Sequence, residues 1–287
     1  MEHLTHIFLH AIEDTLPMIP FLFAAYLLIE WIEHSHGERI EAALQGGGRW
    51  GFVPGAVLGC LPQCGFSAMA ANLYSSKVIT LGTLIAVFLV TSDEAVPLML
   101  AEPDSWPQLA ALLGAKIVIG LLAGFFLDVV CKPILPKSVV GGYTGSARDC
   151  DCHEHDEADS ILVAALKHTL HIVLFVFVFN LAMGALVEWI GEETLAAFLT
   201  GVGWLQPFAA GLIGLVPNCA SSVLLTQLYL AGSIRFSAVL AGLCTGAGVG
   251  LAVLLRSNKS WRQNLFIIGL LYAIGVGCGL VLGLFGI

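Results

Sequence analysis

The chain has 287 residues, 57% of them hydrophobic and only 11% charged, with mean hydropathy +0.88 and a formal charge of −9. Soluble domains carry roughly 25% charged residues, so a water-soluble globular protein is excluded; the charge itself says little about partners. Runs long enough to cross a bilayer, which takes about 20 apolar residues, occur at 15–33, 78–100, 108–130, 172–190, 236–255 and 264–287.

The first run is preceded by His10, Glu13 and Asp14, which share one helix face at i, i+3 and i+4. That set suits a borderline divalent ion at an entrance, although interfacial histidines are also common. No Lys or Arg occurs in residues 1–15, so no signal peptide is expected there. Glu30 and His34 close the run with a similar pair.

Next comes "LGCLPQCGFSAM" (58–69), a greasy stretch interrupted by Pro62 and Gln63 between Cys60 and Cys64. A proline cannot continue a helix and frees a carbonyl. Non-helical backbone survives at membrane depth only when buried in protein or lining a cavity. The spacing predicts a hairpin of two half-helices. Residues 51–61 would rise about 16 Å, roughly half of a 30 Å hydrocarbon core.

The run 78–100 carries "TSDEAVP" (91–97). A carboxylate at the bilayer centre costs at least about 2.5–3.5 kcal/mol, which makes Asp93 and Glu94 candidates for cation or proton coordination. A solvated outer vestibule would also house them. Lys116 is the one basic residue within an expected span; it either pairs with Asp93 or Glu94 or snorkels to the surface.

The linker "RDCDCHEHDEAD" (148–159) packs Cys150, Cys152, His153 and His155 among acids. Such tracts bind metal by composition, and thiolate with imidazole favours zinc, copper or another soft-to-borderline ion. His168 and His171 open the second half as His10 opens the first.

"LIGLVPNCASSV" (212–223) then repeats the earlier interruption. Residues 56–100 align onto 211–255 without gaps at an offset of 155, and Gly59, Pro62, Cys64, Ser67 and Tyr74 each meet their own type. "GAGVG" (246–250) stands where "TSDEA" stands in the first half, and its glycines allow close backbone approach. Two tips meeting at the midplane would present Pro62, Gln63, Cys64, Ser67, Asn218, Cys219, Ser221 and Ser222 to a cargo. Asn72 and Gln227 join these candidates, with hydrogen bonding between helices as their other reading.

Loop charges favour hairpins over full spans at the two Pro-x-Cys segments. With hairpins, Arg39, Arg49, Lys77, Lys132, Lys137, Arg148, Lys167, Arg256, Lys259 and Arg262 fall on one side and only Arg235 on the other, as the positive-inside rule requires. Each half then has an odd number of spans, so the second is inverted relative to the first. Broken helices at matching places in inverted halves point to a transporter's binding site.

The "PQCGFSA" and "PNCASSV" signatures, "TSDEAVPLML" and the His/acid-rich middle loop resemble the ten-transmembrane heavy-metal exporter family. That family is also labelled arsenic efflux or manganese transporter, and it is distantly similar to the organoarsenical permeases. The resemblance spans essentially the whole chain. It implies ten segments, five per half, and a metal or metalloid cargo. The related permeases' pore cysteines correspond to Cys60, Cys64 and Cys219 here. Leu215 takes the place equivalent to Cys60.

The expected protein is therefore an all-α polytopic membrane protein with repeats at 1–130 and 161–287, each three spans plus a hairpin, and a cytoplasmic linker at 131–160. Its expected function is secondary, proton-coupled export of a manganese-like divalent ion or a trivalent arsenical across the bacterial inner membrane, with both termini outside. The carboxylates and the linker tilt the cargo towards a divalent ion. Beyond lipid, cargo and protons no cofactor is expected, nor any nucleic acid, and a homo-oligomer is open. The chain contains no GxxxxGK[ST] motif for nucleotide binding. A membrane thiol-redox enzyme using Cys60 and Cys64, or a passive channel, are the alternatives.

Overall fold

The computed structural model describes residues 50–60, 64–92, 95–141, 161–190 and 203–284, with scattered positions at 12–27 and 194–201. Among the described residues the regular elements are helical, and the one β-contact is an isolated bridge from Thr80 to Gly141. The first hairpin is α1 (Phe52–Gly59) and α2 (Cys64–Ser75), followed by α3 (Leu81–Val90), α4 (Ala95–Leu100) and α5 (Trp106–Phe125). Then come α6 (Ile161–Ile190), the second hairpin of α7 (Gln206–Gly214) and α8 (Cys219–Leu230), α9 (Phe236–Thr245), α10 (Val249–Ser257) and α11 (Trp261–Leu284).

Both runs expected as unbroken spans, 78–100 and 236–255, are interrupted. In the first, Thr91 leaves helical geometry at ψ 128°. The ring of Pro97 would clash with the carbonyl of residue 93 in a continuous helix, so the helix has to break before it. The Thr91 hydroxyl joins its own N–H on Val87 O at 2.7 Å, and that of Ser92 donates to Val90 O at 3.1 Å, a local partner for a carbonyl beside the break. In the second, Gly248 has φ +51°, a conformation that glycine alone adopts at no cost, and α10 starts immediately after it.

The interrupted pair forms the centre of the molecule. Leu81–Leu100 is 81% buried and Phe236–Ser257 89% buried, whereas the continuous spans Pro103–Val130 and Trp261–Leu284 are each 28% buried. The outward faces of the latter carry Val118, Leu122, Leu265, Phe266 and Val281 in exposed positions. Non-helical backbone thus lies inside and apolar side chains face lipid, the only arrangement that satisfies backbone polar groups in hydrocarbon.

Small residues set the helix spacing, as is usual in membranes. A methyl group added at Gly59 would sit 2.9 Å from Val87 O, and one at Gly214 2.1 Å from Gly242 O. One at Gly120 would sit 3.2 Å from Ala86 O, and one at Gly275 3.1 Å from Ala241 O. The third pair is Gly124 with Gly82 O at 3.2 Å and Gly279 with Ser237 O at 2.6 Å. In all three pairs both partners are displaced by 155 residues. The correspondence found at 56–100 therefore extends through α5 and α11.

The second arm of each hairpin crosses to the other half. α2 lies along α10, and α8 touches α4 more sparsely. At the first crossing a Cβ on Gly250 would be 2.7 Å from Ser67 Cβ, the close approach expected of the "GAGVG" glycines.

α3 starts at Thr80, whose hydroxyl accepts from Thr83 N at 3.2 Å. Asp128, 2% exposed in the π-helical turn Phe126–Val130 that prolongs α5, accepts from the Thr80 hydroxyl at 2.6 Å and from Gly82 N at 3.0 Å. A carboxylate at a helix N-terminus meets the positive end of the dipole. Asp128→Ala should cost about 1–3 kcal/mol by stranding the buried Gly82 amide, the Thr80 hydroxyl having Thr83 Oγ1 at 2.9 Å as another partner, and Asp128→Asn less. Melting in detergent checks the order; equal melting temperatures for Asp128→Ala and wild type would refute it.

Candidate translocation site

The two breaks meet at Lys116, and the first arm of each hairpin ends beside one of the broken helices, Gly59 against Val87 and Gly214 against Gly242. Pro217 gives the second tip a residue without an N–H, and the carbonyl this frees, Ile213 O, accepts from Val216 N at 3.0 Å. The Ser221 hydroxyl donates to Asn218 O at 2.8 Å and to Val216 O at 3.2 Å, and that of Ser222 to Cys219 O at 2.8 Å. Asn218 caps α8, its side-chain oxygen accepting from Ala220 N at 3.4 Å. Asn218, Cys219 and Ser221 are buried and Ser222 is half-buried. The hydroxyl protons at this tip are thus committed to backbone, and their oxygens keep lone pairs to accept with.

At the first tip Pro62 and Gln63 lie outside the described residues. Cys64 begins α2, three residues before the fully buried Ser67. Cys60 lies beyond the last residue of α1, its thiol donating to Ala56 O at 3.4 Å. Cys60 and Cys64 therefore do not form an i, i+4 pair on one helix. Among the described residues Cys60, Cys131, Cys219, Cys244 and Cys278 are in no disulfide.

Lys116 is 0% exposed, so it does not snorkel. Its ammonium donates to Thr91 O at 2.5 Å and to Leu243 O at 2.8 Å. Thr91 is the C-cap of α3, and Leu243 lies in the last turn of α9. An unbroken helix would pair Leu243 O with Ala247 N–H, which here turns to Thr245 O at 3.0 Å. One buried cation thus answers the negative ends of both interrupted helices. Lys116 and Asp128, both carried by α5 and its prolongation, hold α3 at opposite ends. Asp93 and Glu94 lie outside the described residues.

Asn72, 2% exposed on α2, accepts from Ser257 Oγ at the end of α10 at 2.8 Å. Its equivalent Gln227 is exposed on α8. Away from the centre, His171 Nε2 lies 2.7 Å from Arg256 Nη2, and the guanidinium stacks over Phe175 at 5.7 Å. A guanidinium on that nitrogen occupies the position a metal would take. His168 belongs to α6, and His10, Glu13, Asp14, Cys150, Cys152, His153 and His155 lie outside the described residues. Among the described residues no group of three or more His, Cys, Asp or Glu could hold a metal.

Sequence reasoning missed the carbonyls of Thr91 and Leu243, as well as Asp128 and Ser257. The available signal was Pro97, which marks the first break as plainly as Pro62 marks the hairpin.

Two buried, interrupted helices enclosed by lipid-facing spans define an all-α polytopic membrane protein. Over residues 3–185 and 142–256 the chain matches the family described as "Putative, 10TM heavy-metal exporter", and it belongs to that family. No curated relative and no solved structure matches it.

Proposed function

We propose that this protein is a secondary-active, proton-coupled exporter of a heavy-metal ion or metalloid that works by alternating access around the two hairpin tips. The observation that carries the reading is Lys116, a buried ammonium joined to the broken ends of α3 and α9, one from each half. The cargo contacts would be Gln63, Cys64, Asn218, Cys219 and the nearby serines, with Asp93, Glu94 and Lys116 exchanging the coupling proton. A manganese-like divalent ion and a trivalent arsenical are the two cargo classes such donors suit.

The repeats, 1–130 and 161–287 about the linker 131–160, are inverted in this reading. Its support is where the ends meet. Ser257, closing α10, bonds to Asn72 near the base of the first hairpin. Glu102, just beyond α4, shares a cleft with Arg235 and Phe236 at the base of the second hairpin. The two interrupted helices then run in opposite directions. Arg256 and Lys259 fall at the end carrying Lys77, and Arg235 at the other, which favours a cytoplasmic face for the basic end in a bacterial inner membrane.

Inside-out vesicles test this with manganese, zinc, cobalt and trivalent methylarsenical, with and without a proton gradient. Gradient-dependent accumulation of one cargo is expected. Its loss in Asp93→Asn/Glu94→Gln but not in Cys64→Ser/Cys219→Ser would identify a hard ion, and the reverse pattern a thiol-seeking metalloid. No accumulation of any of the four would overturn the reading.

A further inference from the structure

We infer that the structure is one of two exchangeable forms: the contact Asn72–Ser257 closes one face, and the equivalent place, Gln227–Glu102, stands open at the other. The inference rests on the inverted-repeat reading above and adds the residues that open and close each face.

The 155-residue displacement that relates the glycine contacts also carries Asn72 onto Gln227 and Glu102 onto Ser257. At the first place the hydrogen bond is made, 2.8 Å long, and α2 lies along α10. At the second, Gln227 is exposed and Glu102 lines a cleft of about 810 Å³. Residues of both halves form its walls: Glu102, Asp104 and Gln108 from one, Tyr229 and Arg235 from the other. Arg235, Glu102 and Asp104 line the same cleft, and among the described residues no ion pair joins them. Opposite charges on separated walls are what a closing movement would bring together.

The sequence gives a reason for the present form. Gly250 lets α10 approach until a Cβ would lie 2.7 Å from Ser67 Cβ. The equivalents of Gly250 and Ser67 are Ala95 and Ser222. Alanine adds a methyl group where the first crossing has none, which makes the two closures unequal in energy and favours the Asn72–Ser257 side. Interfaces of this kind have two packed arrangements rather than a continuum, and a difference of about 1.4 kcal/mol already gives a tenfold bias.

The test is a protein carrying Asn72→Cys, Ser257→Cys, Glu102→Cys and Gln227→Cys in membrane vesicles. It is oxidised with copper phenanthroline, and its links are identified by peptide mass spectrometry so that the native cysteines stay in place. The Asn72→Cys/Ser257→Cys link should dominate, the other should form in a minority, and no molecule should carry both. Adding Gly250→Ala should raise the share of the minority link at least threefold. Either link alone should lower cargo flux at least tenfold, with recovery on reduction. Both links in one molecule, or undiminished flux through a linked protein, would overturn the two-form inference while leaving an exporter intact. Mutually exclusive links in a protein that moves no cargo would support the two forms and remove the exporter reading instead.

Discussion

Lys116→Met should abolish transport and lower stability in detergent by about 2–6 kcal/mol. The estimate follows from two buried carbonyls, Thr91 O and Leu243 O, each losing its ammonium donor, at about 1–3 kcal/mol per stranded group. Methionine fills much of the volume and adapts its shape, so the loss reports charge and hydrogen bonding more than a cavity. Lys116→Arg keeps the charge but brings a wider, planar head to a site shaped for a point donor; stability should be partly retained and transport still impaired. Denaturation in mixed micelles beside vesicle flux separates the two effects. A Lys116→Met protein that melts and transports like wild type would show that the breaks need no cation.

The second large effect is steric. Gly214→Ala should fail to assemble, because its Cβ would lie 2.1 Å from Gly242 O, a backbone atom that cannot move aside. Gly59→Ala makes the equivalent contact at 2.9 Å and should be milder. Overpacking costs typically about 1–3 kcal/mol and occasionally more, which places Gly59→Ala within that range and Gly214→Ala beyond it. Gly114→Ala and Gly269→Ala meet nothing within 4 Å, so they should be neutral or stabilising, since alanine is the better helix former by up to about 1 kcal/mol. Yield and melting temperature should be lowest for Gly214→Ala, intermediate for Gly59→Ala and highest for Gly114→Ala and Gly269→Ala. Gly214→Ala folding as well as Gly269→Ala would mean that α7 and α9 are further apart than described.

The hairpins were legible because proline and polar residues in a greasy run have few meanings. The second pair of breaks was harder to see. At 91–97 the two acids drew attention to charge, and the breaker, Pro97, stood beside them unused. At 246–250 the marker was glycine, which in a membrane helix serves packing as often as bending. The destination of Lys116 could not be read from the chain: whether a lysine eight residues into a span snorkels or turns inward depends on what lies across the interface. Leu243, its partner there, is 127 residues away. The repeat itself was visible only where unusual residues matched. Gly120 with Gly275 and Gly124 with Gly279 look like coincidence in sequence and acquire meaning from the carbonyls they touch.

The crossing of the hairpin arms has a consequence for how such a chain came to be divided. Because α2 rests on α10 and α8 meets α4, neither half contains the surface that covers its own hairpin. A fragment ending in the linker would leave the bare arm of α2, with Ser67 and Asn72, against lipid. If the two repeats descend from one half-length chain, that chain would have needed a second copy to cover its hairpin arm. On that reading, joining the copies would have let each differ, as Lys116 does from Leu271, its counterpart at an offset of 155.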